Sequence, residues 1–332
     1  NYADRIDLFN RQNSQFLRTE ANLPAINRFL RLKAEPPYNR QALLEILLAL
    51  KSRQKDIIYS YAILNTSGIN ILDTDSANIG NDERKNTYFE ALVGKSRLNS
   101  YRSPIIFEED QPVIVFSSAI NDLSGKLLGV LRTKYDAAIL TDLLDRTKGM
   151  AGRGSFAVLL DENNLRLVHG RRSDLKYTLA SALSEEQLKL LKQKNRVPQN
   201  ASGAFAESPE WTRKISSASF RDPIVETQFN GLGTALFSAA VVELETVPWT
   251  IIVAQPQEVF LEPVVAQIQS AFLLVAIIVI VVVLIVMAAT KLLLGPVKRL
   301  TAVVRKISDG DLSVKASVEA DDEIGGLANA FN

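Results

Sequence analysis

The chain has 332 residues, with 38 Lys and Arg against 37 Asp and Glu, so no global basic excess points to nucleic acid. It contains no cysteine, which excludes disulfide staples, thiolate metal sites and cysteine nucleophiles. The length allows two or three domains, and the apolar residues are concentrated in one segment near the C-terminal end.

Residues 3–33 place Ile6, Phe9, Phe16, Leu23, Ile26 and Leu30 three, four or seven positions apart, which predicts one helical face, kinked or restarted at Pro24. Pro36-Pro37 breaks the pattern. A second helix is expected over 39–53, with Leu43, Leu44, Ile46, Leu47 and Leu50 as its apolar positions. The two make a helical spine over 1–55. The opening Asn1-Tyr2-Ala3-Asp4 falls inside an amphipathic pattern. A domain exported ahead of a single span needs a signal, so a membrane helix is expected before residue 1.

From Asp56 the period becomes that of strands. Ile57–Leu64, the turn Thr66-Ser67-Gly68 and Ile69–Leu72 read as a hairpin, followed by a short helix around Asn86–Leu92. Strands are expected at Leu98–Ser100, Gln111–Ile120 and Lys126–Tyr135, the last two joined by Asn121–Gly125. The order then recurs. Ser155–Asp161 and Leu165–His169 form a second hairpin, a helix covers Ser184–Lys194, and Thr234–Glu243 and Trp249–Ala254 close the module. The polar stretch from Arg196 to Gly233 reads as a long loop or partly ordered insertion.

Between Pro263 and Thr290 there is no charged residue, and Ala271–Ala289 has no polar side chain. That is close to the ~20 residues a helix needs to cross a bilayer. Lys291, Lys298, Arg299, Arg305 and Lys306 follow the run, whereas Glu258 and Glu262 precede it. The positive-inside rule therefore places the C-terminal side in the cytoplasm and residues 1–262 outside the inner (plasma) membrane. Beyond the run, Val297, Leu300, Val304 and Ile307 are spaced by three, four and three, the seam of a coiled coil. Gly310-Asp311-Leu312 ends that helix, Leu312, Val314 and Val318 are apolar pins of a connector, and Ile324, Leu327 and Phe331 restart a seam. Glu323 suits the positive end of the second helix.

Thr66-Ser67-Gly68, Thr87–Leu92, Gln111-Pro112-Val113 and Gly129-Val130-Leu131 stand in the order of double Cache (PAS-like) sensor domains, and Gly152–Phe156 with Leu167-Val168-His169 resemble their proximal repeat. The segment 291–332 resembles a HAMP domain. The resemblance implies an α+β chain: a long N-terminal helix and two tandem PAS-like antiparallel-sheet modules, 56–150 and 151–262. A transmembrane helix over 263–290 and a HAMP helical coiled coil cut within its second helix complete it. It implies the sensing part of a transmembrane receptor acting as a homodimer in the lipid bilayer, with a cytoplasmic output beyond residue 332. A histidine kinase is the first expectation for that output. The alternatives are a chemotaxis-type receptor, a nucleotide or cyclic-dinucleotide cyclase, or a membrane-anchored binding protein with no output. Pro296, Leu300, Val304, Ile307, Gly310, Leu312, Glu323 and Gly325 are the expected signal-transmitting positions.

The resemblance also implies a small-molecule pocket in the distal module, between the strands and the Asn86–Leu92 helix. Many amino-acid-binding members carry an arginine two residues before the aromatic pair and an aspartate at the last strand's exit. This chain has Asn86 and Lys134 there, keeps Tyr88-Phe89, and has Tyr101 where a pocket tyrosine is common. Strand alternation sends Arg132, Lys134 and Asp136 to one face. With Arg84 in the preceding loop, a cationic site for an anionic metabolite is expected. The plainer alternative is a set of solvated charges on an edge strand. His169 is the only histidine and is expected to be structural. No catalytic constellation, metal site or cofactor is expected.

Overall fold

The computed structural model describes residues 2–32, 37–94, 98–145, 149, 152–219, 221–311, 313–316 and 323–331. Three helices open it: α1 (Tyr2–Ala21), α2 (Pro24–Arg31) and α3 (Pro37–Ser52). Pro24 sits in the first turn of α2, where its missing N–H leaves no bond unmade, so the chain restarts there instead of kinking.

The first module runs β1 (Ile58–Asn65), β2 (Asn70–Asp73), α4 (Thr87–Val93), β3 (Ser100–Arg102), β4 (Ile106–Glu108), β5 (Gln111–Asn121) and β6 (Leu127–Asp136), followed by α5 (Ile139–Asp145). Its sheet has the order β2-β1-β6-β5-β3, with β4 also paired to β5, and every pairing is antiparallel. The second module comprises β7 (Phe156–Leu160), β8 (Arg166–His169), α6 (Glu185–Gln193), α7 (Pro209–Ser217), β9 (Ile224–Thr227), β10 (Phe237–Glu243) and β11 (Thr250–Pro256). Its order, β8-β7-β11-β10-β9, repeats the plan: the first strand of the hairpin lies against the module's last strand. The chain is thus α+β with two antiparallel sheets.

The polar stretch expected as a loop is a correction. It contains α7 and β9, and Trp211 and Ile215 of α7 are buried. Ser208 caps α7 by accepting from the Trp211 N–H, with Pro209 next to it, a start signal hidden in surrounding polarity. The strands β3 and β4 are three residues each, too short to show a period.

Alternation divides each sheet between two cores. On one face Tyr61, Ile63, Ile114, Phe116, Leu131 and Tyr135 meet α1, and Phe9 of α1 packs edge-on against Phe116 and Tyr135 at 5.9 and 5.7 Å. On the other face Leu64, Val113, Val115 and Val130 meet Tyr88, Phe89 and Leu92 of α4. In the second sheet Ala157 and Leu159 join the core shared with α1, whereas Phe156, Val158 and Leu160 pack with Trp211, Phe229 and Phe237.

The helix α1 also reaches the turn between β10 and β11. Asp7, 3% exposed, accepts from the backbone N–H groups of Glu245 and Thr246 at 3.1 and 2.9 Å, and from the Thr246 hydroxyl. Asn10 donates to Thr246 Oγ1 at 2.8 Å, and Arg11 pairs with Glu245 at 3.0 Å. A second tie joins β4 to the segment after α6, where Phe107 N–H donates to the Asn195 carbonyl and Arg196 to the Ile105 carbonyl.

Residues 261–332 form a separate compact unit. The helix α8, Gln257–Ser308, begins directly after β11 and continues for 52 residues. Its stretch from Gln267 onward is long and apolar enough to cross a membrane, and side chains 267–292 are exposed all round. A soluble core helix buries its apolar face, whereas this stretch leaves apolar residues exposed on every side. Pro296 lies inside the helix and has no N–H to offer Leu292. The end is a Schellman closure: Asp311 N–H donates to the Lys306 carbonyl and Gly310 N–H to Ile307, with Gly310 at φ +95°, a conformation that disfavours a side chain. The last helix is α9, Glu323–Phe331.

Asp7→Ala strips two backbone donors of their acceptor at a buried contact. It is expected to lower the stability of the region by about 1–3 kcal/mol in urea denaturation. Arg11→Ala, which removes an exposed pair, should change it by less than about 1 kcal/mol.

Candidate functional site

The face of the first sheet covered by α4 carries a buried polar cluster. It is built from the hairpin outward. Gly68 holds φ +80°, and a Cβ there would lie 2.7 Å from the Arg84 Cα. That close approach lets the Gly68 carbonyl accept from the Glu83 N–H at 2.8 Å, which directs the Glu83 side chain inward and leaves Arg84 outside. Arg132 on β6, wholly buried, grips Glu83 with two nitrogens, Nη2 to Oε1 at 2.7 Å and Nε to Oε2 at 3.0 Å. Its Nη2 also donates to Asp73 Oδ2 at 3.0 Å and its Nη1 to Ser60 Oγ at 2.7 Å. Asn70 Nδ2 bridges both carboxylates at 2.9 and 3.0 Å. The Tyr88 hydroxyl donates to Glu83 Oε2 at 2.8 Å and accepts from Asn86 at 2.6 Å.

Burial by itself would raise the Glu83 carboxyl, but the hydrogen bonds and charge of Arg132 and the Tyr88 hydroxyl outweigh it and hold the group below its ordinary value. Burial, then the neighbouring Glu83 charge, pushes the Tyr88 hydroxyl up, so it stays a donor. Two carboxylates surround one guanidinium, so the floor of the site has no unpaired positive charge.

The sequence-predicted residues separate into three groups. Arg132 and Tyr88 belong to the cluster. Lys134 and Tyr101 lie on the same face nearer its rim: Lys134 pairs with Glu108 at 2.6 Å, and half-buried Tyr101 packs against the α4 core. Arg84 and Asp136 are engaged elsewhere. Arg84 forms an exposed pair with Asp82, and Asp136 accepts from the Ala138 N–H at the lead-in to α5. Sequence reasoning missed Asp73, at the end of β2, and Glu83, in the segment leading to α4, which supply the counter-charges. A buried-strand arginine demands such acids, and that demand was the available signal.

The proximal module has a parallel arrangement. Arg166, 1% exposed, donates to Glu207 at 2.6 Å, to Thr178 Oγ1 and to the carbonyls of Leu179 and Phe205. His169 is 5% exposed, stacks on Phe156 at 5.3 Å, and accepts at Nδ1 from the Arg172 N–H. Burial, then the charges of Arg166 and Arg172, lowers its pKa to about 4.

In the second unit, Pro296 and Leu300 of α8 and Gly325 of α9 line one groove of about 270 Å³ with Val303, Ala316 and Ala328. Val304 and Ile307 are half-buried on α8, Gly310 closes it, and Glu323 stands exposed in the first turn of α9. Leu312 and Val318 lie outside the described residues. Residues 288–332 match the HAMP domain family. This segment is a HAMP domain. Curated proteins show no sequence match to the chain. Among solved structures, the sensor domain of the Vibrio cholerae histidine kinase DctB is similar at 12% identity and a TM-score of 0.56, over 77% of this chain and 93% of that one. The ligand-binding domain of the Campylobacter jejuni chemoreceptor Tlp3, solved with L-valine, is similar at 17% identity and 0.52, over 78% and 89%. The part preceding HAMP therefore has the fold of Cache-type sensor domains, followed by one membrane-capable helix.

Arg132→Met leaves Glu83 and Asp73 buried without their cation and is expected to cost about 3–5 kcal/mol. Glu83→Gln, which leaves the Arg132–Asp73 pair balanced, should cost less in the same denaturation assay. For His169, the folded pKa lies below the ordinary 6.5, so the unfolded chain binds the extra proton between pH 6.5 and 4. Stability should fall as pH drops through that window. His169→Asn, which keeps an acceptor for the Arg172 N–H, should flatten this part of the profile.

Proposed function

We propose that the chain is the sensing and transmitting part of a dimeric receptor of the inner (plasma) membrane. Residues 1–262 lie outside the cytoplasm and HAMP lies inside. One observation carries the reading. The last sensor strand, the apolar span and the first HAMP helix form one uninterrupted run, since α8 starts at Gln257 where β11 ends and continues to Ser308. A shift of the second sheet is thus applied directly to the membrane helix. The half-buried Val304 and Ile307 seam supports a parallel homodimer, because a single chain leaves it partly uncovered.

The ligand is a small organic acid held in the distal module between the sheet and α4. Lys134, which Glu108 now neutralises, takes the carboxylate; Tyr88 and Tyr101 form the walls, and the Arg132 cluster forms a rigid floor. Asp136 anchors the strand's exit and Arg84 flanks the mouth. The ligand biases the two states of the receptor only by its difference in affinity for them, and HAMP passes the bias to a cytoplasmic output through Pro296, Leu300, Gly310, Leu312 and Gly325.

Because the chain has no cysteine, Val304→Cys gives a single reporter. In nanodiscs, the full chain with Val304→Cys should form a disulfide-linked dimer on mild oxidation, and organic acids should change its rate. Adding Lys134→Glu should abolish the change while leaving the dimer. A reporter that never cross-links would refute the dimer, and an unaltered response in Lys134→Glu would refute the site.

A further inference from the structure

A second polar groove, distinct from the distal pocket, lies on the α1 side of the molecule. It encloses about 660 Å³ and is lined by Asn10, Arg11, Arg18, Ser100, Arg102 and Thr246 among others, with no acidic side chain in its wall. Arg11 is paired with Glu245. Arg18 is exposed and forms no ion pair among the described residues.

Three buried side-chain atoms on two residues lining this groove lack a hydrogen-bond partner among the described residues. Arg102 has Nε and Nη2 buried with no hydrogen-bond acceptor among the described residues. Its guanidinium lies 4.0 Å from the ring centre of Trp249, a favourable contact that supplies no counter-charge. Burial lowers the Arg102 pKa to about 9, against the opposing influence of the Glu162 carboxylate, which accepts hydrogen bonds from Arg196 and Trp249 instead. The other three strongly placed arginines, 132, 166 and 196, each have a carboxylate. The third atom is Asn10 Oδ1. Asn10 is 2% exposed, and the Thr246 hydroxyl gives its one proton to Asp7. Asn10 must therefore donate to Thr246 through Nδ2, which leaves Oδ1 as a buried acceptor with no donor among the described residues. Buried polar atoms are ordinarily satisfied, so the pair marks a place where something else bonds.

We propose that this groove binds a small hydroxylated polycarboxylate, its carboxylates on Arg102 and Arg18 and its hydroxyl donating to Asn10. The site touches α1 and the turn that Asp7 holds, so its occupant would stiffen the junction of the two modules. The proposal is independent of the distal-pocket reading.

The test uses the full chain in nanodiscs with Trp211→Phe, which leaves Trp249 as the one tryptophan. Citrate should change Trp249 fluorescence saturably. Arg102→Met and Arg18→Ser should each weaken citrate by about tenfold or more, as expected for loss of a charge-assisted bond. Should Arg102→Met fail to fold, the exposed Arg18→Ser carries the test. Lys134→Glu should leave the citrate response intact. Absence of saturation overturns the proposal. So does loss of the response in Lys134→Glu but not in the arginine variants. A stronger response to inorganic phosphate than to citrate would overturn the assignment to a polycarboxylate.

Discussion

A guanidinium removed from water has to meet its counter-charge inside the protein. Both antiparallel-sheet modules are arranged around that requirement. Arg132 draws Glu83 and Asp73 onto the first sheet, and Arg166 draws Glu207 onto the second. Glu83 and Glu207 both lie in connecting segments rather than on a strand. Each pair therefore fixes the path of a connecting segment over the sheet, and the covering elements, α4 in one case and α7 in the other, follow from it. Such pairs add little net stability against a well-packed apolar core, but removing one partner is costly. Their contribution is to select one arrangement of the loops.

The same logic explains the shared core. The face of each sheet not occupied by these clusters is apolar and is gathered against α1, so a single helix supports both modules. Polar residues on α1, chiefly Asp7 and Asn13, then fix its position lengthwise: Asn13 accepts from the Tyr135 hydroxyl at 2.8 Å, and Asp7 holds the distant turn. Apolar packing alone would tolerate sliding along the helix axis; these bonds do not.

Much of this was legible in the sequence where periodicity ran long enough. The strands at 111–121 and 127–136, the spine helices and the apolar span all declare themselves by spacing. Alternation also assigned Arg132 and Lys134 to the correct face. What spacing could not convey was partnership. Arg84 and Glu83 are adjacent letters, and only the turn at Gly68 decides which one enters the core. An arginine that looked available for a ligand is consumed by two acids more than forty positions away. The helix α7 was obscured for another reason, since two buried side chains in a polar surround give a weak period although the cap signal was present.

The unbroken α8 has one further consequence. Each residue added to an α-helix turns everything beyond it by about 100° and lengthens it by ~1.5 Å. Between the end of β11 and the Val297–Ile307 seam there is no loop to absorb such a change. The length of this segment is therefore constrained in phase as well as in extent. Single insertions would turn the seam to another side of the helix, whereas a change of about seven residues would nearly restore its direction. Related chains should vary here in whole heptads, so that the spacing itself is inherited along with the residues.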